Sequence, residues 1–537
     1  MKLDLASLKA NSAEWKKACV KLPVFDIAAV RAETSEAPEW VHFGAGNIFR
    51  GFVGSIAQRL IEGGELKSGI IACETFDYDI ISKIYEPFDN LTLNVIMNPD
   101  GTTSREVLSG IASAVKVDFS DASARENLLE IFRKPSLKMM SFTITEKGYQ
   151  IRRSDASLMP VVEADIIGGP HSPRHVMSVV TALLFERFKA GQFKMAVVSM
   201  DNCSRNGDRL KSSVMTIAEA WREKGFVPAE FLGYLSDEAT ISFPWSMIDK
   251  ITPRPHPDVL RVLSQDGIEG MDPIVTSKST FIAPFVNAER PEYLVIEDKF
   301  PAGRPALEKA GVYLADRETV NKTERMKVTT CLNPLHTAMS MFGCLLGYDL
   351  ICKEMEDPDI VKLVKRLGYV EGLAVVVDPG IISPKAFIDE VVNERLPNKF
   401  MPDDPRRIAT DTSQKVGIRF GETIRSYVAE GRDLDELVAI PLALAAWMRY
   451  LLGVGDDGAE IEISPDPLKD EIAAKLSSIR WNEPDSYNGE LKEIFSNATV
   501  FGLDICATEL FPRIERYFIQ MLGGVGAVRS VLHESLS

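Results

Sequence analysis

A chain of 537 residues is long enough for two to four domains, each burying a core of its own. The net charge of −16 excludes nucleic acid and anionic membrane surfaces as principal partners. Seven scattered cysteines with no CxxC pair exclude a thiolate zinc site and suit a reducing cytoplasm.

Residues 1–37 read as a polar, helical lead-in without the apolar segment of a signal peptide. EWVHFGAGNIFRGF follows: a short apolar strand, two glycines, then the helical period of SIAQRLIEGG. A second buried strand is expected at 68–76, and a hairpin over 91–108 turning at Asn98, Pro99, Asp100 and Gly101. Further strands are expected at 137–145 and 193–201, with a helix at 174–191 between them. This alternation predicts a Rossmann-like α/β domain over 38–305, built on a mostly parallel, doubly wound sheet. Beyond 305 helical patterns dominate, at 335–346, 357–367, 404–430, 434–452, 467–479 and the last thirty residues. Residues 306–537 are therefore expected to form a mostly α-helical domain. The longest apolar run, 437–448, is twelve residues, too short to cross a bilayer and suited to a buried helix.

Several stretches carry groups with chemistry. Gly44 and Gly46, between a strand and a helix, fit a turn whose backbone N–H groups receive a pyrophosphate. The third position of that glycine pattern is Phe49, and an ordinary strand-to-helix turn is the other reading. At the end of the second strand, Glu74 and Asp77 both qualify to bind an adenosine ribose. An acid there repels a 2′-phosphate and favours NAD over NADP, while Asp77 equally suits a helix N-cap. Thr145, Glu146 and Asn202 lie at strand ends, which face the ligand crevice in such a sheet. Asp249 falls in FPWSMIDKITPRP, by itself a loop with an ion pair. Arg407 and Lys415, eight apart, would lie on broadly one face of one helix, either as a solvated surface or as a grip on hydroxyls or a carboxylate.

KVTTCLNPLH, residues 327–336, places Lys327, Asn333 and His336 close in sequence, but nine residues set Lys327 and His336 on opposite sides of a regular helix. Two routes bring them together. One is a π-bulge between Lys327 and Pro334; the other is an extended lead-in, with Asn333 as N-cap and Pro334 as the first helical residue.

Taken in chain order, HFGAGNIFRG, TITEKGY, SMDNCSRNG, SMIDKITP, KVTTCLNPLH, RRIATDTSQK and ALAAWMRYL resemble the mannitol dehydrogenase family over roughly residues 40–520. The resemblance implies a metal-independent NAD(P) oxidoreductase with a Rossmann-type domain and a helical domain. It implies Lys327 as general acid/base, Asn202 and Asn333 polarising the reacting oxygen, His336 orienting the substrate, and Asp249, Arg407 and Lys415 touching the sugar chain. It places Gly44, Gly46, Asn47, Phe49, Arg50, Asp77, Thr145 and Glu146 at the cofactor, NAD. The family usually spaces the lysine five residues before the asparagine, and here the spacing is six.

Within the family the motifs look most like the group that reduces fructuronate to D-mannonate, with mannitol 2-dehydrogenation or tagaturonate reduction as alternatives. A silent nucleotide-binding sensor is the reading from another class, and it need not keep Lys327, Asn202, Asn333 and His336. The expected partner is a small sugar acid or polyol, without nucleic acid, membrane or metal, on a cytoplasmic monomer or small homo-oligomer.

Overall fold

The computed structural model describes all 537 residues, which form two compact units: Met1–Asn98 with Thr102–Asn321, and Pro99–Gly101 with Lys322–Ser537. No helix is long and apolar enough to cross a membrane.

The first unit is built on six parallel strands: β1 (Trp40–Phe43), β2 (Ile70–Glu74), β3 (Ile111–Lys116), β4 (Met139–Phe142), β5 (Met195–Ser199) and β6 (Ile241–Ser242). Their order is β3-β2-β1-β4-β5-β6. This is the doubly wound order, whose direction reverses between β1 and β4 and opens a crevice at the strand C-termini. The central strands are short and apolar because a parallel sheet is covered on both faces. Alternation sorts their side chains. Val41, Phe43, Met140 and Phe142 join one core with residues of the helices Ala122–Arg133, Val176–Gly191 and Asn206–Glu223. Trp40 and Met139 join the other, with Phe49, Phe52 and Ile56 from the segment after β1.

The expected hairpin is present, with Thr92–Met97 antiparallel to Thr103–Leu108. The lead-in is integral to this unit: Val20–Lys21 pairs with Arg105 and Glu106, and the Thr34 hydroxyl accepts from the Gly69 N–H at 2.7 Å. The two units meet in sequence at Asn321 and Lys322.

The second unit is helical, but its helices are shorter than the periodicity predicts. The expected helix at 404–430 is four pieces: Pro405–Ala409, a 3-10 turn Thr412–Gln414, a π segment Gly417–Gly421 and Glu422–Glu430. Asp411 sits in the left-handed region (φ 55°), which breaks the α-ladder. At Gly421 a Cβ would fall 1.9 Å from the Phe501 carbonyl oxygen, so the π segment is pressed against neighbouring backbone. Arg407 and Lys415 therefore lie on separate pieces, which corrects their expected placement on one helix.

Candidate functional site

In the first unit the site begins at the β1 turn. Gly44 has φ of 100°, and a Cβ there would meet the Thr143 carbonyl oxygen at 2.2 Å, so only glycine fits. Gly46 has nothing within 4 Å of a built Cβ, which leaves its backbone approachable. The buried Glu74 carboxylate braces the turn: Oε2 accepts from the Ala45 N–H at 2.9 Å, and Oε1 from Phe76 and Asp77 at 2.8 and 3.1 Å.

Asn47 accepts from the Arg50 guanidinium at 3.4 Å. Phe49 and Arg50, expected at the cofactor, have fully buried side chains. The Phe49 ring stacks on His42 at 4.1 Å, and Arg50 donates to the carbonyls of Ala283 and Pro284 at 2.8 Å each. Both hold the segment after β1 in place, and the close packing absent at Phe49 recurs at Gly51, whose Cβ would lie 2.8 Å from Val286 Cγ1.

Asp77 is buried. It caps no helix; its Oδ2 accepts from the Thr276 hydroxyl at 2.5 Å, while buried Oδ1 has no hydrogen-bond partner. These residues fit a dinucleotide: a glycine turn with approachable backbone at the head of the crevice can receive a pyrophosphate.

Asp201, buried at the end of β5, ties two strand ends together. Its carboxylate accepts from the N–H groups of Ile144 and Thr145 at 2.9 Å and from the Tyr149 hydroxyl at 2.6 Å. Burial pushes its pKa up, and those three donors oppose the rise. The clamp holds Thr145 in a left-handed conformation (φ 64°) and presents Asn202, the next residue, at the surface. Glu146 is exposed and pairs with Arg209. Asp249 is buried at the end of the strand Ser246–Asp249, not in a loop, and the neighbouring Lys250 pairs with Glu292 at 3.1 Å.

In the second unit the extra residue before Asn333 is absorbed by a π-turn. Lys327–Cys331 is π-helical, and the Leu332 N–H donates to the Lys327 carbonyl five residues back at 3.1 Å. The helix Asn333–Leu346 follows with Pro334 in its first turn, and Leu332 is the cap, so the extended lead-in is excluded. The bulge and the non-helical Leu332 (φ −130°, ψ −62°) break the regular register that would set Lys327 and His336 about 180° apart. Lys327 is 2 % exposed.

The His336 ring lies among charges. Burial lowers its pKa to about 4; Asp403 opposes the fall, and Arg395, Arg419 and Arg407 add to it. Arg419, on the π segment Gly417–Gly421, donates to the hydroxyl of Thr337, the residue after His336. Burial brings its pKa down to about 10. Arg407 is paired with Asp403, and the Lys415 ammonium donates to the Thr410 carbonyl. Burial lowers the Lys415 pKa, with Arg419 nearby. Arg395 and Arg419 were not singled out from the sequence, because isolated arginines far from the lysine carry no local signal.

A family model described as the mannitol dehydrogenase Rossmann domain matches residues 38–309, and one described as the mannitol dehydrogenase C-terminal domain matches 319–519. A D-mannonate oxidoreductase of Thermotoga maritima is 51% identical over 538 aligned residues, 99% of each chain. A mannitol 2-dehydrogenase of Pseudomonas fluorescens, solved with NAD and D-mannitol, is 25% identical with a TM-score of 0.70 and covers 99% of both chains. A substrate-free D-sorbitol dehydrogenase shares the fold at 24% identity and a TM-score of 0.78, over 97% of this chain and 98% of its own.

Proposed function

The chain belongs to the mannitol dehydrogenase family, and from that premise we propose that it is a cytoplasmic, NAD-dependent reductase of ketouronates that converts fructuronate to D-mannonate. The relative of 51% identity bears the name of that activity and aligns end to end. In this reading residues 38–305 hold the cofactor and 306–537 the substrate.

The observation that supports it is the π-turn that buries Lys327 just ahead of the helix bearing His336, in a unit that also gathers Arg395, Arg407 and Arg419 around the imidazole. When bound, the nicotinamide supplies the hydride to the ketone carbon. Lys327 then gives one proton from its ammonium to the carbonyl oxygen and is left as a neutral amine, so charge and protons balance. Asn333, in the first turn after the bulge, is assigned to donate to the developing alkoxide. Asn202, carried by the first unit, receives the same role from the family motif. Burial favours the neutral imidazole of His336, which can donate one ring N–H to a substrate hydroxyl.

Arg407 and Lys415 do not decide between an acid and a polyol, and the cation that supports an acid is Arg419. A carboxylate meets a planar guanidinium with two parallel hydrogen bonds, which a hydroxymethyl end cannot do. Arg419 is the guanidinium fixed next to His336, and we assign it the carboxylate end of the sugar acid.

The test is a panel of fructuronate, tagaturonate, fructose and fructose 6-phosphate with NADH. The expected kcat/KM for fructuronate exceeds each of the others by about tenfold or more. Comparable values on all four would refute a dedicated uronate reductase, and a preference for fructose would make it a polyol dehydrogenase.

A further inference from the structure

The surface past the C-terminal end of β2 differs from what an acid at position 77 leads one to expect. In a doubly wound sheet this is where the adenosine ribose lies, and its discriminating hydroxyl is the 2′. Asp77 is 2 % exposed and turned inward onto Thr276. What the surface presents there is Phe76, 67 % exposed, with the Lys278 ammonium 5.4 Å from its ring centroid.

Lys278 comes from the turn of a distant hairpin, Ile274–Val275 with Phe281–Ile282, and its backbone is fixed. The Thr276 hydroxyl accepts from the N–H groups of Lys278 and Thr280 at 3.3 and 3.0 Å, and the Asp79 carboxylate accepts from Ser277 at 2.8 Å. The other charges nearby do not cancel the lysine. Asp79 is neutralised by Lys83 at 2.9 Å, and Asp77 is covered by the turn. An exposed cation beside an exposed aromatic ring suits a phosphorylated adenosine: the ring offers a face to the base, and the ammonium is a point charge for a phosphate.

We infer that Lys278 reads the 2′ position of the adenosine ribose, so that the protein takes NADP(H) as well as NAD(H). Phe76 supplies the face for the adenine, and Thr276 is a positioning residue that withdraws the Asp77 carboxylate from the 2′-phosphate. The inference rests on the cofactor reading above and concerns only the adenosine end of it.

Calorimetric titration of the full chain with NAD⁺, NADP⁺ and 2′,5′-ADP tests it without turnover. The wild-type protein is expected to bind NADP⁺ with a Kd within about tenfold of that for NAD⁺. Lys278 is exposed, so Lys278→Ala leaves the fold intact. It is expected to weaken NADP⁺ and 2′,5′-ADP about tenfold while changing NAD⁺ less than about twofold, and Lys278→Glu to weaken the phosphorylated pair further. Wild-type binding of NAD⁺ without binding of NADP⁺ or 2′,5′-ADP would overturn the inference, as would an equal loss for both cofactors in Lys278→Ala. Failure to bind either dinucleotide would instead refute the cofactor reading itself.

Discussion

Glu354, on the short helix Ile351–Glu354, is fully buried, and neither carboxylate oxygen has a hydrogen-bond partner. It presses on the helix that carries His336, since a Cβ at Gly343 would fall 2.1 Å from Oε1. Burial first, then the charges of Asp357 and Asp404, raise its pKa well above the usual glutamate value. In the unfolded chain the same group titrates near about 4.3. Above that pH the unfolded state releases a proton that the folded state keeps, so stability falls as pH rises, by up to about 1.4 kcal/mol per unit until the folded pKa is passed. Between about pH 4.3 and 6.3 the loss is bounded at about 2.8 kcal/mol. Glu354→Gln keeps the shape and removes the titration. Its unpaired amide costs a constant amount, so the difference in slope is diagnostic. Urea unfolding of both proteins from pH 4.5 to 8 should show the variant gaining on wild type as pH rises. Parallel curves, or a wild-type advantage that grows with pH, would refute the reasoning.

Other outcomes follow from the same structure. Gly44→Ala must leave the left-handed region or displace Thr143, at a cost of about 2 kcal/mol or more, and should lower the unfolding temperature and weaken NADH binding together; unchanged binding of NADH would contradict the role of the turn. Arg419→Gln removes one charged carboxylate contact, worth about 1.5–3 kcal/mol, and should raise KM for fructuronate about ten- to hundredfold with little effect on fructose. Equal losses on both sugars would mean that Arg419 acts only through Thr337.

The parallel sheet was legible because its strands are short apolar runs separated by helical periods, and a parallel sheet buried on both faces requires that pattern. The bend at Lys327 was legible for another reason: nine residues cannot bring an amine and an imidazole to one side of a regular helix, so either a bulge or a lead-in had to intervene, and the π-turn is the one found. The π segments Phe49–Val53 and Gly417–Gly421 went unread because no pair of functional groups flanked them to expose a mismatch. Contacts at long range in sequence were hidden as well. Asp77 turns inward because Thr276 lies over it, and Arg50 is spent on the carbonyls of Ala283 and Pro284, neither of which leaves a trace in the local pattern. Arg407 and Lys415 looked like one helical face because periodicity alone does not show that Asp411 adopts a left-handed conformation.

The proton donor is tested most directly by Lys327→Ala, with NADH oxidation measured at saturating fructuronate and NADH binding measured alongside. Turnover should fall about a hundred- to ten-thousandfold while NADH binds as before. A variant that reduces fructuronate at close to the wild-type rate would show that the buried amine donates no proton in this reaction.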